Sequence, residues 1–485
     1  MKKAIIIGSG IGGLSTAVRL KARGFDVDVF EKNSFPGGKL SNIDVGKYRF
    51  NTGPSLFTMP HFVDELYELF NENPRDHFNY IKKDIMCKYF WDNGKKFVGY
   101  YDINKLADEC KLKFGIDRST ILKYLEKSKK KYDLVENIFI KNSLHKLKNL
   151  ISIDTLKALL KINTFQLFKT LNKVNEEELK NKYLVQVFNR FATYNGSSPY
   201  KTPGMMSAIQ NAEKHYGSFI PVKGMGDITK SLYKLAKRQG VKFYFNREVD
   251  KIIIKNKKAC GVKINNKELF SEIVVTNSDV YNTYRNLLNE KRKIKALEQE
   301  RSSSAFIFNW GIKKVFKELD LHNIFFSNNY KEEFDYIFNK KQLYSDPTVY
   351  INITCKDLPK DSPKGCENWY VMVNSPYDNN QNWEKIKDEL KSSIVKKINK
   401  ILSINIEEYI EEERIVTPQD IESSTNSYKG SLYGTSSNNI YSAFLRHPNF
   451  SPKITNLYFC GGSVHPGGGI PLCIMSGKII SEIVQ

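Results

Sequence analysis

Two glycine clusters, one at each end of the chain, carry the chemistry most legible in this sequence. The first, Gly8-Ser9-Gly10-Ile11-Gly12-Gly13, follows the short β-branched run Ala4 to Ile7 and precedes a helical stretch, Leu14 to Arg23. This order suits phosphate binding: Gly8 allows a tight turn, Gly10 lets the backbone approach a pyrophosphate, and Gly13 lets the helix pack closely on its strand. Free N–H groups of the loop around Ser9, Ile11 and Gly12 would meet the phosphates at the helix N-terminus, where the dipole favours negative charge. A second strand, Asp26 to Phe30, ends in Glu31 and Lys32. Glu31 stands where an acid accepts hydrogen bonds from the ribose of an adenosine. Strand, glycine loop, helix, strand and acid occur in the order of a dinucleotide site, and a glycine-rich turn without a ligand would not account for Glu31.

The second cluster lies in the run Leu457-Tyr458-Phe459-Cys460-Gly461-Gly462-Ser463-Val464-His465-Pro466-Gly467-Gly468-Gly469-Ile470-Pro471-Leu472-Cys473. A strand runs into a glycine loop, and a helix begins at Pro471, a residue suited to a first helical turn. His465 reads either as a base or as a structural turn or core contact, and no catalytic dyad is expected. The histidines at 61, 77, 145, 215, 322, 447 and 465 show no metal-like spacing, and no G-x-S-x-G occurs. Neither a metal site nor a serine nucleophile is therefore expected. Cys460 and Cys473 read as small buried apolar residues.

After Glu31 come Lys32-Asn33-Ser34-Phe35-Pro36-Gly37-Gly38-Lys39, then a β-like Tyr48 to Phe50 and Asn51-Thr52-Gly53-Pro54-Ser55. This run resembles the flavoprotein superfamily that holds amine oxidases, carotenoid desaturases and Rab GDP-dissociation inhibitors. The resemblance implies non-covalent FAD rather than NAD. It puts Gly38 and Lys39 along the cofactor, Gly53, Pro54 and Ser55 near the isoalloxazine, and the backbone of Val249 against the adenine. It also implies that Gly462, Ser463, Gly468, Gly469, Pro471 and Leu472 face the flavin, whose N1/C2=O edge gains negative charge on reduction.

The C-terminal run resembles bacterial phytoene desaturases and their carotenoid-modifying relatives. Tyr194-x-Gly196-x-x-Pro199 belongs to the same resemblance, which implies that Tyr194 and Pro199 lie on the substrate side. Phytoene desaturases generally continue I-P-G, whereas this chain has Ile470-Pro471-Leu472-Cys473. With GPSLFTMP and GCENW, that departure looks more like the 1-hydroxycarotenoid 3,4-desaturase branch. The implied activity is FAD-dependent introduction of C=C bonds into a membrane-borne carotenoid, of hydroxycarotenoid or phytoene type. The alternatives are a carotenoid methyl oxidase, a cis–trans isomerase, or a non-catalytic prenyl-lipid-binding module like Rab GDP-dissociation inhibitor. The electron acceptor, quinone or dioxygen, is left open.

These motifs need elements to hold them. Residues 60–102 predict a short helix and a hairpin turned by Asp92-Asn93-Gly94, a type I′ signal. From 104 to 190 the pattern is helical and rich in lysine. Near 142–172, Leu156, Leu159, Leu160, Phe165 and Phe168 alternate with Lys157, Lys161 and Lys169. That pattern fits a helical cap with a solvated face, or a basic surface helix that dips into a membrane. Gly226 opens a helix ending near Gly240, 241–245 reads as a buried strand, and a hairpin and a further strand follow to 280. Strands and one long helix near 383–402 predict an antiparallel substrate domain between 300 and 415. The expected fold class is α/β: a Rossmann-like FAD-binding domain (1–60, 220–285 and 450–485) with an interleaved α+β substrate domain. The latter takes 61–219 and 286–449 and includes a membrane-facing helical cap. Gly10, Val249 and Gly468 should meet at one cleft.

The composition agrees with a globular protein. The chain has 485 residues, 41% hydrophobic and 26% charged, with a net charge of +22, which excludes a disordered chain. Seven cysteines form no C-x-x-C, so neither a disulfide framework nor a zinc ribbon is expected and a reducing cytoplasm fits. No uncharged apolar stretch reaches the ~18 residues of a spanning helix. The lysine excess suits peripheral attachment to an anionic lipid surface, from which a carotenoid would be taken. No basic run carries the arginines and aromatics of a nucleic-acid groove, so no nucleic-acid partner is expected.

Overall fold

The computed structural model describes residues 1–146 and 153–484. Part of the basic stretch expected near 142–172 therefore lies outside the described residues, as do the side chains of Leu156 and Leu159. The β-branched runs near both ends and in the middle of the chain share one parallel sheet. Its five strands run in the order Leu457–Phe459, Ile273–Thr276, Lys3–Ile7, Asp26–Phe30 and Lys242–Tyr244. Central strands of such a sheet are covered on both faces and read as continuous apolar runs. Ala4, Ile6, Val27, Val29 and Val275 pack with Leu14, Ile228 and Ile474 of the helices Ile11–Ala22, Gly226–Arg238 and Ile470–Ile483. Ile5, Ile7, Phe30 and Val274 pack instead with Ile252 and Val262 of a three-stranded antiparallel sheet, Lys251–Lys255, Lys258–Ile264 and Lys267–Phe270.

Two local expectations are corrected. The strand at 242–244 is an exposed edge, because it pairs only with Asp26–Phe30 and leaves Lys242 and Tyr244 in solvent. The turn after Phe90 is not type I′. That turn needs positive φ at both central residues, and here Gly94 (φ 82°) takes it without Asn93. Gly94 N donates to Trp91 O and Trp91 N to Lys95 O, which gives a glycine bulge.

A seven-stranded sheet forms the second layer, in the order Ile410–Val416, Ser304–Ile312, Glu367–Ser375, Val349–Ile353, His322–Phe325, Ile85–Phe90 and Lys96–Tyr100. Its neighbours are antiparallel except for the parallel pair His322–Phe325 and Ile85–Phe90. Alternation divides its side chains. Phe306, Phe308, Trp310, Val371 and Val373 pack with Leu390, Ile394 and Ile398 of the helix Trp383–Leu402. Ala305, Ile307, Asn309, Tyr370 and Met372 face the other way and form the floor of a cavity. Helices between 103 and 216 close that cavity from above, with Tyr132, Arg190 and Tyr194 on its walls.

Candidate functional site

Gly10, Val249 and Gly468 line one cavity of about 220 Å³, as the sequence predicts. Gly8, Ile11, Gly12, Glu31, Gly462 and Ser463 share its walls. Close packing explains the glycines. A Cβ on Gly10 would lie 2.7 Å from Asn277 Nδ2, and one on Gly12 would lie 2.8 Å from the backbone nitrogen of Gly461. A Cβ on Gly13 would strike the carbonyl oxygen of Gly8. Gly13 thus stands behind the cavity wall, where it lets the helix approach its strand.

Two helices point their free N–H groups here. Ile11–Ala22 starts from Gly10 and Ile470–Ile483 from Gly469, and neither has a side-chain cap or an acid in its first turn. Uncapped N-termini of this kind hold anions. Glu31 is buried, and its Oε2 accepts from Ser9 N (2.8 Å) and Ser9 Oγ (2.9 Å), while Oε1 accepts from Asn33 N (3.0 Å). Ser9 therefore orients Glu31 and does not reach the wall itself. A carboxylate offers about four acceptor sites, so Glu31 keeps capacity for ribose hydroxyls. Lys32 is on the wall, yet its ammonium is spent on Ser423 O (2.8 Å) and Asn426 Oδ1 (2.7 Å).

A second cavity of about 700 Å³ adjoins the first. Gly38, Lys39, Pro54, Tyr433, Gly468 and Gly469 line both. Gly53, Ser55, Pro471, Leu472 and Tyr194 line the larger one. Pro199 does not. It is buried in a turn whose carbonyl accepts from Asn172 N (2.9 Å), so it supports the helix Leu171–Leu179 and lies off the cavity walls. His465 is a core contact: fully buried, bonded through Nε2 to Asn142 O (2.8 Å), and held by that burial down to about 4. Burial likewise pushes the thiols of Cys460 and Cys473 up, to about 12 and about 11. Among the described residues no cluster of His, Cys, Asp and Glu has a metal site's arrangement.

Several wall residues escape a reading of the sequence. Asn277, next after the strand Ile273–Thr276, stands where it would meet a Cβ on Gly8, Gly10, Gly12 or Gly461, and so fills the space between the two glycine motifs. Its signal was position, at the carboxyl end of a parallel strand where doubly wound sheets bind ligands. Arg446 is buried beside Gly467 and donates to Tyr433 O (2.6 Å). Asp279, also on the wall of the smaller cavity, forms a buried ion pair at 2.5 Å with Arg301, which lines neither cavity.

Lys39 sits where the cavities join and donates to Leu432 O (2.9 Å) and Ser431 O (3.2 Å). Burial lowers its ammonium to about 8; Asp279 opposes that shift and Arg301 adds to it. A base depressed in the folded state makes the apoprotein gain stability as pH rises from about 8 towards the ordinary lysine value. An anionic ligand beside Lys39 favours the charged form, so binding takes up a proton above pH 8. FAD affinity is expected to fall as pH rises above about 8, approaching tenfold per unit. Titration of apoprotein with FAD from pH 7 to 10 checks this. Equal slopes for wild type and Lys39→Met would remove Lys39 from the contact.

The family model for flavin containing amine oxidoreductase matches residues 11–484. The chain belongs to that family. Over 485 residues it is 53% identical to a 1-hydroxycarotenoid 3,4-desaturase of Flavobacterium sp. (strain P99-3), covering 100% of this chain and 99% of that one. It is 29% identical to a 4,4'-diaponeurosporene oxygenase of Staphylococcus haemolyticus (strain JCSC1435), covering 100% and 97%. Among solved structures, an oxidoreductase from Methanosarcina mazei superposes with a TM-score of 0.65 at 15% identity over 99% of this chain and 100% of that one. Putrescine oxidase bound to putrescine gives 0.64 at 12% identity, over 99% and 98%. These two likenesses show the α/β fold. The family's cofactor is FAD, and the residues present fit it. The uncapped N-terminus of Ile11–Ala22 with its glycine cradle suits its pyrophosphate, that of Ile470–Ile483 suits the flavin edge that gains negative charge on reduction, and Glu31 suits its ribose.

Proposed function

We propose that this protein is an FAD-dependent desaturase that introduces a C=C bond at the 3,4-position of a 1-hydroxylated carotenoid. The full-length 53% identity to a relative of that name carries the reading. A large cavity with an apolar floor, continuous with the FAD cradle, supports it. When bound, FAD supplies hydride acceptance; the chain's own part is to hold the polyene against it and exclude water. The test supplies a 1-hydroxycarotenoid and phytoene separately, in anionic liposomes, to the holoenzyme. The expected result is a longer-wavelength polyene band from the hydroxycarotenoid alone. Conversion of phytoene alone, or a product that has gained oxygen at a terminal methyl, would overturn the assignment.

A polyene of this kind resides in the bilayer, and the proposal includes collecting it there. No helix among the described residues is long and apolar enough to cross a membrane. Phe168 is 95% exposed and Leu160 80% exposed, with Ile162, Lys157 and Lys161 exposed near them in sequence. Lys169 is spent on Glu177. Beneath this patch Phe165 and Ala158 pack with Met205, Val135 and Phe444, three residues that also line the large cavity. The patch would thus rest on lipid directly over the cavity wall. Burying a leucine and a phenylalanine contributes about 1.5–3 kcal/mol each. Leu160→Glu combined with Phe168→Glu is expected to weaken vesicle binding at least tenfold in flotation assays, with FAD content unchanged. Undiminished flotation would exclude this face.

A further inference from the structure

Charged and polar side chains on the walls of the large cavity are out of keeping with a purely hydrocarbon guest, and they fall into two hydrogen-bonded clusters. Arg190 follows the helix Lys182–Asn189, donates Nη1 to Tyr194 OH (2.6 Å) and Nη2 to Tyr89 OH (3.0 Å), and lies 3.5 Å from Glu213. Glu213 Oε1 accepts from the Tyr194 hydroxyl. Opposite in sequence but on the same cavity, Ser55 Oγ lies 2.7 Å from Tyr350 OH, which lies 2.7 Å from His322 Nδ1. Asn352 Nδ2 reaches the same Nδ1 at 3.3 Å and can only donate. With Nδ1 accepting, neutral His322 carries its proton on Nε2. Burial holds the imidazole down to about 3, with Arg190 close enough to add to the shift, so it is neutral at ordinary pH.

Arg190 Nε, Glu213 Oε2 and His322 Nε2 are buried and make no hydrogen bond among the described residues, Glu213 Oε2 having the 3.5 Å ion-pair contact with Arg190 Nη2. Arg190, Glu213 and His322 are 8%, 2% and 4% exposed. Buried donors and acceptors without partners are costly, and a donor together with an acceptor is what one hydroxyl group needs. Its oxygen would accept from His322 Nε2–H, and its O–H would donate to Glu213 Oε2. On the desaturase reading, C2 alone separates the hydroxyl-bearing C1 from the reacting 3,4-bond. A hydroxyl subsite must therefore adjoin the flavin-facing wall, and Ser55, next to Gly53 and Pro54, links the His322 arm to that wall.

We infer that Arg190, Glu213 and His322 form the subsite that binds the substrate's hydroxyl group and sets which C–C bond is dehydrogenated. The inference rests on the desaturase reading and deepens it. Glu213 and His322 touch the hydroxyl; Tyr194, Tyr350 and Ser55 are positioning residues. Sites built around a substrate hydroxyl reject the analogue that lacks it, because their own polar groups are left unpaired.

The experiment compares a 1-hydroxycarotenoid with its non-hydroxylated counterpart, both in anionic liposomes, with holoenzyme. The counterpart is followed by turnover or, where it is not converted, by its inhibition constant. A wild type that dehydrogenates neither would sink the desaturase reading itself, and this inference with it. With wild-type activity in hand, His322→Phe is expected to lower kcat/KM for the hydroxylated substrate at least tenfold. The counterpart should be handled as well as before or better, with the flavin spectrum unchanged. Equal losses on both substrates would overturn the inference, since a merely structural role moves both together. Where His322→Phe does not retain FAD, Glu213→Gln, which keeps the acceptor for Tyr194, carries the same comparison. Its selectivity for the hydroxylated substrate must fall at least tenfold, and an unchanged ratio overturns the subsite.

Discussion

Alanine at position 13 is expected to destabilise the apoprotein by about 3 kcal/mol and to abolish FAD retention, whereas alanine at position 10 weakens FAD binding and leaves the fold nearly intact. The two glycines belong to one loop, but their surroundings differ in kind. A Cβ on Gly13 meets the Gly8 carbonyl oxygen and comes within 3.3 Å of Asn277 Cβ. Backbone would press on backbone, and relief would require the helix Ile11–Ala22 to lift from the strand Lys3–Ile7. A Cβ on Gly10 meets only the amide end of Asn277, which can swing aside, and Gly10 has an ordinary φ of −64°. Its methyl would instead narrow the cavity that takes the pyrophosphate. Gly12 falls between, because its Cβ would lie 2.8 Å from Gly461 N and push the two glycine motifs apart. Thermal unfolding of the three apoproteins, followed by FAD titration, separates the effects. Equal stability of the position-10 and position-13 variants would show that helix–strand contact is not what Gly13 provides.

Much of the parallel sheet was legible because its signals are local. A four-residue β-branched run, a glycine loop and an acid at the right spacing identify strand, turn, helix and strand without tertiary knowledge. The C-terminal helix was legible for the same reason. What depends on pairing was not. Val241, Phe243 and Phe245 alternate as a half-buried strand should, and only the strand order makes 242–244 an exposed edge. The run Ala305-Phe306-Ile307-Phe308 declares a strand, yet it is buried throughout. Sequence therefore could not say that Ala305 and Ile307 floor the cavity while Phe306 and Phe308 meet a helix. Pro199 shared a motif with Tyr194, but a motif reports proximity in sequence, and the turn between them sends only Tyr194 to the wall. Asn277, Arg446 and the Arg190–Glu213–His322 group draw their roles from partners far away along the chain, and no spacing announces them.

The Asp279–Arg301 pair is the extreme of that kind, and breaking it is expected to cost about 3–5 kcal/mol. Both side chains are at most 6% exposed. Asp279 Oδ1 also accepts from Tyr281 N (2.8 Å), and Arg301 donates to Ser431 Oγ (2.9 Å), so the pair ties the wall residue Asp279 to the segment that precedes the wall residues Leu432 and Tyr433. Asp279 is also the carboxylate that holds Lys39 in its charged form against burial and against Arg301. With Asp279→Ala, Arg301 stays buried as an uncompensated cation beside Lys39, and a marginally stable fold has little to spare against that loss. An anionic cofactor bound in the same cavity would restore part of the missing charge and adds stability by mass action. The deficit in denaturant unfolding should therefore shrink when Asp279→Ala is saturated with FAD. Removing both charges, as Asp279→Ala with Arg301→Met, should recover more than half of the loss, because the penalty lies in the unpaired charge and not in the missing pair. A double-mutant cycle on the apoprotein measures this. Additive single losses would mean that the pair is not coupled and that Asp279 acts through Tyr281 alone.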